Sequence, residues 1–227
     1  MFFDDGTLDT ETRDQAMRVF PGAKIHCAAA IEERLNLRLP SASFPTLRAH
    51  RTAYIHLRKL TDVHAGHHGW RAVLDSDQLF FREPTRLFDW LTSPHRPIHL
   101  IDVHDSYGYS AEVLATLAGR AVPPRVNVGV CGLQSDALDW RQLETWCAEL
   151  LEKHGSSYYL EQALIALWLS GGETTPMPAS DYRVMPDEQE CRAPQAVMHH
   201  YVDTSKRGYF RHAWRRALPT SQARIAA

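Results

Sequence analysis

In the segment VLDSDQLFF, two carboxylates, Asp75 and Asp77, stand one residue apart inside an otherwise apolar run. A carboxylate taken out of water must be paired, protonated or bound to a metal. In an extended segment alternate residues share a side, so the two acids converge while Ser76 faces away. Like charges at that range repel unless something positive lies between them. A divalent cation would supply that charge; an exposed turn with solvated carboxylates is the competing reading. A second cluster, His64, His67 and His68 in HAGHHGW, invites a zinc reading. It has no cysteine or fourth ligand nearby, which favours a solvated polar loop.

These residues need elements to position them. MFFDDGT reads as a short strand ending in a turn at Gly6, followed by a helix capped by Asp9 or Thr10 and closed at Pro21-Gly22. AKIHCAAA is a second strand candidate, and TLRAHRTAYIHLRKL carries Leu47, Tyr54, Leu57 and Leu60 at helical spacing. After the acidic pair come a helical TRLFDWL, a strand in IHLIDV and a valine-rich buried strand in RVNVGVCGL. Gly129 and Gly132 there permit close backbone approach. Two helices follow, one with Asp139 and Gln142 as a capping pair, the other over about 159–169 and ending at Gly171-Gly172. A Pro-rich passage from Pro176 to Pro194 leads to a short strand in AVMHHYV. Strands alternating with helices predict an α/β fold in one domain over residues 1–218, with 219–227 a frayed tail.

Composition narrows the function classes. A formal net charge of −2 on 227 residues lacks the basic footprint of a nucleic-acid binder. No apolar run approaches the ~20 residues of a membrane span, and Asp4 and Asp5 interrupt any signal-peptide pattern. The four cysteines lack a C-x-x-C spacing and read as reduced, buried thiols, which suits a cytoplasmic protein.

Taken in order, LDSDQLFF, NVG at Asn127 to Gly129, EQ at Glu161-Gln162 and HYVDTSK at His200 to Lys206 resemble GT-A-fold glycosyltransferases. The likeness is to the family-eight type, which includes glycogenin and bacterial galactosyltransferases, and it runs from the first residues to Lys206. It implies a GT-A-like, Rossmann-like mixed sheet flanked by helices. It also implies transfer of a hexose from a nucleotide-diphosphate sugar to an acceptor, with Mn²⁺ or Mg²⁺ on the diphosphate. By resemblance Asp75, Asp77 and His200 hold the metal, Asp75 also touches the ribose, and Lys206 reaches the diphosphate. Lys59 would hold nucleotide or sugar, with a solvated basic helix face as its alternative. Asn127 would meet sugar hydroxyls, and Asp5 the base.

Glu161 and Gln162 stand where the family places an acid and a glutamine beside the reacting sugar. Adjacent helical residues point about 100° apart, so the two cannot aim at one atom. Glu161 as an ordinary exposed helix residue remains a rival. The sequence also departs from the family pattern. Asp203 replaces a glycine three residues after the histidine, and Arg207-Gly208 replaces Pro-Trp after the lysine.

The chain begins at what the resemblance makes its second strand, which predicts an N-terminally incomplete sheet and weak activity. A non-catalytic remnant that keeps only metal and diphosphate binding is therefore the main alternative. A metal-dependent phosphoester hydrolase is a third, though it lacks the Thr/Ser and Lys constellation that reaction needs.

Overall fold

A computed structural model describes residues 1–4 and 6–217. In chain order the elements are β1 (Phe2–Phe3), α1 (Thr10–Val19), β2 (Ile25–His26), α2 (Ala28–Arg38), α3 (Pro45–Ala53), α4 (Arg58–His64), β3 (Trp70–Leu74) and β4 (Gln78–Phe80). They continue with α5 (Thr85–Thr92), β5 (Ile98–Ile101), α6 (Ala111–Ala118), β6 (Val126–Gln134), α7 (Trp140–His154) and α8 (Leu160–Leu169). The last are β7 (Thr175–Pro176), β8 (Tyr182–Val184), α9 (Glu188–Arg192), β9 (Met198–His200) and a helical run over 206–217. The result is a mixed α/β chain. Among the described residues no helix is long and apolar enough to cross a membrane. The expected tail at 219–227 lies outside the described residues, as does Asp5.

The chain divides into two units, residues 1–71 with 134–164, and 72–133 with the remainder. In the first, β1 and β2 pair in parallel. Asp9 caps α1 through the Thr12 N–H, as expected. The strand expected in AKIHCAAA stops at His26, because the alanines begin α2, where Ile31 and Leu35 are buried one turn apart. TLRAHRTAYIHLRKL is not one helix. It breaks at Tyr54, and α3 and α4 are tied by Arg51, whose Nε and Nη2 donate to the Asp62 carboxylate at 2.5 and 2.8 Å. The free N-terminus of α3 is capped from α7: both Glu144 oxygens accept N–H groups, from Thr46 at 2.7 Å and Leu47 at 2.9 Å.

His64 corrects the loop reading of HAGHHGW. It ends α4, is buried, and lies 2.9 Å from the Ser135 hydroxyl. Burial, with Arg71 and His67 nearby, pushes its pKa down to about 3.

In the second unit one sheet has the strand order β3-β6-β5-β7 and another β4-β9-β8. Strand β6 is buried along all but its last residue, which explains its run of valine without polar alternation. Gly132 lies where a side chain would overlap the Trp90 ring and Ile98. The described residues form no disulfide, and Cys131, Cys147 and Cys191 are buried.

Candidate functional site

Asp75 and Asp77 do not sit in one continuous strand. Strand β3 ends at Leu74, β4 begins at Gln78, and the chain bends between them. The bend exists because the chain changes sheets there. The Asp75 N–H donates to the Gly129 carbonyl of β6 at 2.8 Å, whereas the Asp77 carbonyl accepts from the Tyr201 N–H, just past β9, at 2.9 Å. Ser76 is exposed, and the two acids still converge.

Strand β9 delivers the third group. It pairs antiparallel with β4, setting His200 opposite Gln78. The imidazole Nε2 lies 3.2 Å from Asp77 Oδ1 and 3.5 Å from Asp75 Oδ2. That nitrogen is buried and lacks a hydrogen-bond partner of acceptable geometry. One ligand atom from each of the three residues lies within 4.8 Å of the others. Burial disfavours the imidazolium, but the two carboxylates together outweigh it and hold the His200 pKa above its ordinary value. Burial would likewise raise the Asp77 carboxyl; His200 and Lys206 reverse the direction and leave it below the usual range.

On the other ring edge, His200 Nδ1 lies 3.1 Å from Asn127 Oδ1, which also accepts the Gly129 N–H at 3.0 Å. The Asn127 Nδ2 donates to Asp102 Oδ2 at 3.1 Å. The Asn127 oxygen thus meets both the Gly129 N–H and the imidazole edge. Gly129 is needed here: a Cβ on it would overlap the imidazole. Asp102, just past the end of β5, is the site residue the sequence reading missed. Its signal resembled that of Asp75, an acid immediately following an apolar strand.

Lys206 Nζ lies 3.5 Å from Asp77 Oδ2 and is over half exposed. Between His200 and Lys206, Asp203 adopts φ +46°, the left-handed region that glycine occupies most easily and aspartate tolerates. Gly208 packs where a side chain would strike Cys191, leaving no room for a bulky residue.

The remaining expected residues belong to the first unit. Lys59 Nζ lies 3.2 Å from Glu161 Oε2, so neither is a solvated surface group. Glu161 and Gln162 are buried in the first turn of α8. The Tyr54 hydroxyl donates to the Tyr158 carbonyl and accepts the Glu161 N–H.

No protein-family model matches the sequence, and comparison with curated proteins finds no match. Among solved structures the chain is similar to the apo crystal structure of mouse xyloside xylosyltransferase 1, with a TM-score of 0.53. The match covers 85% of this chain and 81% of that one, at 13% identity. The fold is GT-A-like. Within this GT-A-like fold, the acidic pair falls at the end of an apolar strand and faces a histidine from a later one.

The donors fit a divalent cation. Two carboxylates and a neutral imidazole suit such an ion, and His200 Nε2 is the atom it would engage.

Proposed function

We propose that this chain is a metal-dependent glycosyltransferase of the family-eight type, moving a hexose from a nucleotide-diphosphate sugar to an acceptor. The observation that carries the reading is the convergence of Asp75, Asp77 and the orphaned His200 Nε2 beside Lys206, in a GT-A-like fold. The neighbouring xylosyltransferase supports sugar transfer as the reaction class.

In the reaction the bond between the anomeric carbon and the diphosphate oxygen breaks, and its electron pair leaves on the diphosphate. A bond forms from the acceptor hydroxyl oxygen to that carbon, and the hydroxyl proton passes to the departing diphosphate. Asp75, Asp77 and His200 would hold Mn²⁺ or Mg²⁺, which supplies Lewis-acid stabilisation of the departing diphosphate. Lys206 adds a second positive charge at the same oxygens. Its exposed pairing with Asp77 is weak enough to exchange for a phosphate at little cost. By resemblance alone, Glu161 and Gln162 are proposed to serve the transferring sugar. Lys59, paired with Glu161, then fixes the orientation of that carboxylate. Asp75 would also contact the ribose.

The test is incubation of the chain with Mn²⁺ and a panel of nucleotide-diphosphate hexoses, following release of the nucleoside diphosphate. Release is expected with at least one donor, and its loss on chelation or in Asp77→Asn. Mn²⁺ binding without release from any donor would leave the non-catalytic reading. Phosphate release from simple esters would replace the transferase with a hydrolase.

A further inference from the structure

We propose that Arg71, with His26, His67 and Arg34 around it, forms a binding site for a phosphate-class oxyanion, either free phosphate or a phosphomonoester. None of these residues takes part in the sugar-transfer reading, so the two stand or fall separately.

The chain brings four basic side chains together within the first unit. His26 comes from β2, Arg34 from α2, His67 from the turn after α4, and Arg71 from the start of β3. The His26 ring stacks on Phe3 at 4.6 Å. The His67 ring stands edge-on to both, its centre 5.6 Å from that of His26. Arg34 is pinned at the end of α4, where Nε donates to the Ala65 carbonyl at 2.9 Å and Nη2 to that of Asp62 at 2.5 Å.

Arg71 is matched far less well. Its Nε is buried without a hydrogen-bond partner, as is His67 Nε2. The hydrogen bond it makes among the described residues runs from Nη1 to the Met1 sulfur at 3.7 Å, and a thioether is a weak acceptor. His26 Nε2 lies 3.4 Å from the same sulfur. Two nitrogens from separate strands thus converge on one point. The Met1 side chain that fills it is 66% exposed and can leave for solvent.

Charge is as poorly matched as hydrogen bonding. The nearby acid, Asp62, is already held through both oxygens by Arg51. Lys24, His68 and the N-terminal amine only add positive charge. Burial, with Arg71 and Arg34 close by, pushes the His67 pKa down to about 4 and lowers that of His26 as well. Burial also lowers the Arg71 pKa, with no carboxylate among the described residues to offset it. A partly buried guanidinium in that position destabilises the chain until a counter-charge arrives. Its planar fork meets two oxygens of a phosphate at once, and the imidazoles offer N–H groups from other directions. Donors arranged in that way suit a tetrahedral anion better than a flat carboxylate.

Inorganic phosphate and glucose 6-phosphate are titrated by calorimetry into metal-free parent, Lys206→Ala and Arg71→Met. The salt is about 0.15 M, where diffuse attraction is screened. Parent and Lys206→Ala should bind alike, and Arg71→Met about tenfold more weakly or worse. The tighter of the two ligands identifies the source of the phosphate group. Thermal unfolding separates this role from a structural one. Without phosphate, Arg71→Met should be no less stable than the parent, because it removes an unpaired charge; with phosphate, the parent alone should gain. In ¹⁵N-histidine spectra of the parent, phosphate should move His26 and His67 and raise their pKa values, with His26→Gln and His67→Gln giving the assignments. A parent that binds neither ligand, or binding lost in Lys206→Ala, would overturn the site. So would a folded Arg71→Met of parent affinity, or one less stable than the parent without phosphate. If Arg71→Met does not fold, the parent spectra decide: His26 and His67 unmoved at saturation would reject the proposal.

Discussion

His200 is held on one edge by an amide and on the other by two acids, and each edge was legible to a different degree. The six-residue step from His200 to Lys206 made its identity readable despite 13 histidines in the chain. Asn127 was readable as a candidate residue, but the direction in which its amide turns was not. Sequence shows that an amide is present, whereas the backbone N–H of Gly129 decides which way it turns. Asp203 takes φ +46°, a backbone region that glycine occupies most easily. At this scale Lys206 offers the plainest test. Lys206→Ala should weaken nucleoside-diphosphate binding by about 1–3 kcal/mol, the scale of a charge-assisted hydrogen bond. Because the side chain is exposed, the unfolding temperature should hardly move. Equal affinities in calorimetry would remove Lys206 from the site.

Elements were legible where pattern and punctuation agreed. Helix α7 followed from its apolar spacing and from Asp139, which accepts N–H groups from Arg141 and Gln142. Helix α6 has no counterpart in the sequence reading, although Ser110 caps its start and Gly119 ends it at φ +68°. Its alanine-rich stretch has only a weak apolar face, so periodicity alone passes over it. The bend at Asp75 to Asp77 was hidden for another reason. A strand leaving one sheet for another keeps its apolar flanks, and only pairing partners reveal the change. Strand β6 makes a sharp prediction. Gly129→Ala places a methyl group against the imidazole and should cost about 1–3 kcal/mol, the range for overpacking. It should also displace His200 and abolish Mn²⁺ binding while every ligand remains in the sequence. A stable Gly129→Ala with parent Mn²⁺ affinity would show that the ring does not need this space.

For the whole molecule, the buried histidines set the acid limit of stability. His64 has a pKa of about 3 in the fold, against an ordinary value of 6.5. Between those values the unfolded chain binds a proton that the native chain refuses, so stability falls as pH falls. The loss reaches roughly 2 kcal/mol by pH ~5 from this residue alone. His67 and His99 are also held low by burial and act in the same direction. His64→Asn, which can still meet the Ser135 hydroxyl, should flatten the dependence. Urea unfolding at pH ~7.5 and ~5 should show the parent losing more stability than the variant. Equal losses would mean that His64 is protonated without unfolding. None of this was visible in HAGHHGW, because spacing does not say which of three histidines faces inward.

The change of sheets between Asp75 and Asp77 has a mechanical consequence. Asp75 is anchored to one sheet through Gly129, and Asp77 leads into the ladder that carries His200 in the other. An ion gripped by all three would act as a clasp across a seam in the backbone pairing. The unfolded chain keeps the two acids near each other but loses the histidine, so it has little hold on the ion. Loading would then tighten the seam by mass action, by about 2.7 kcal/mol at a hundredfold excess over the dissociation constant. In the proposed reaction, the ion that would draw charge from a departing diphosphate would also fasten the two sheets that present it.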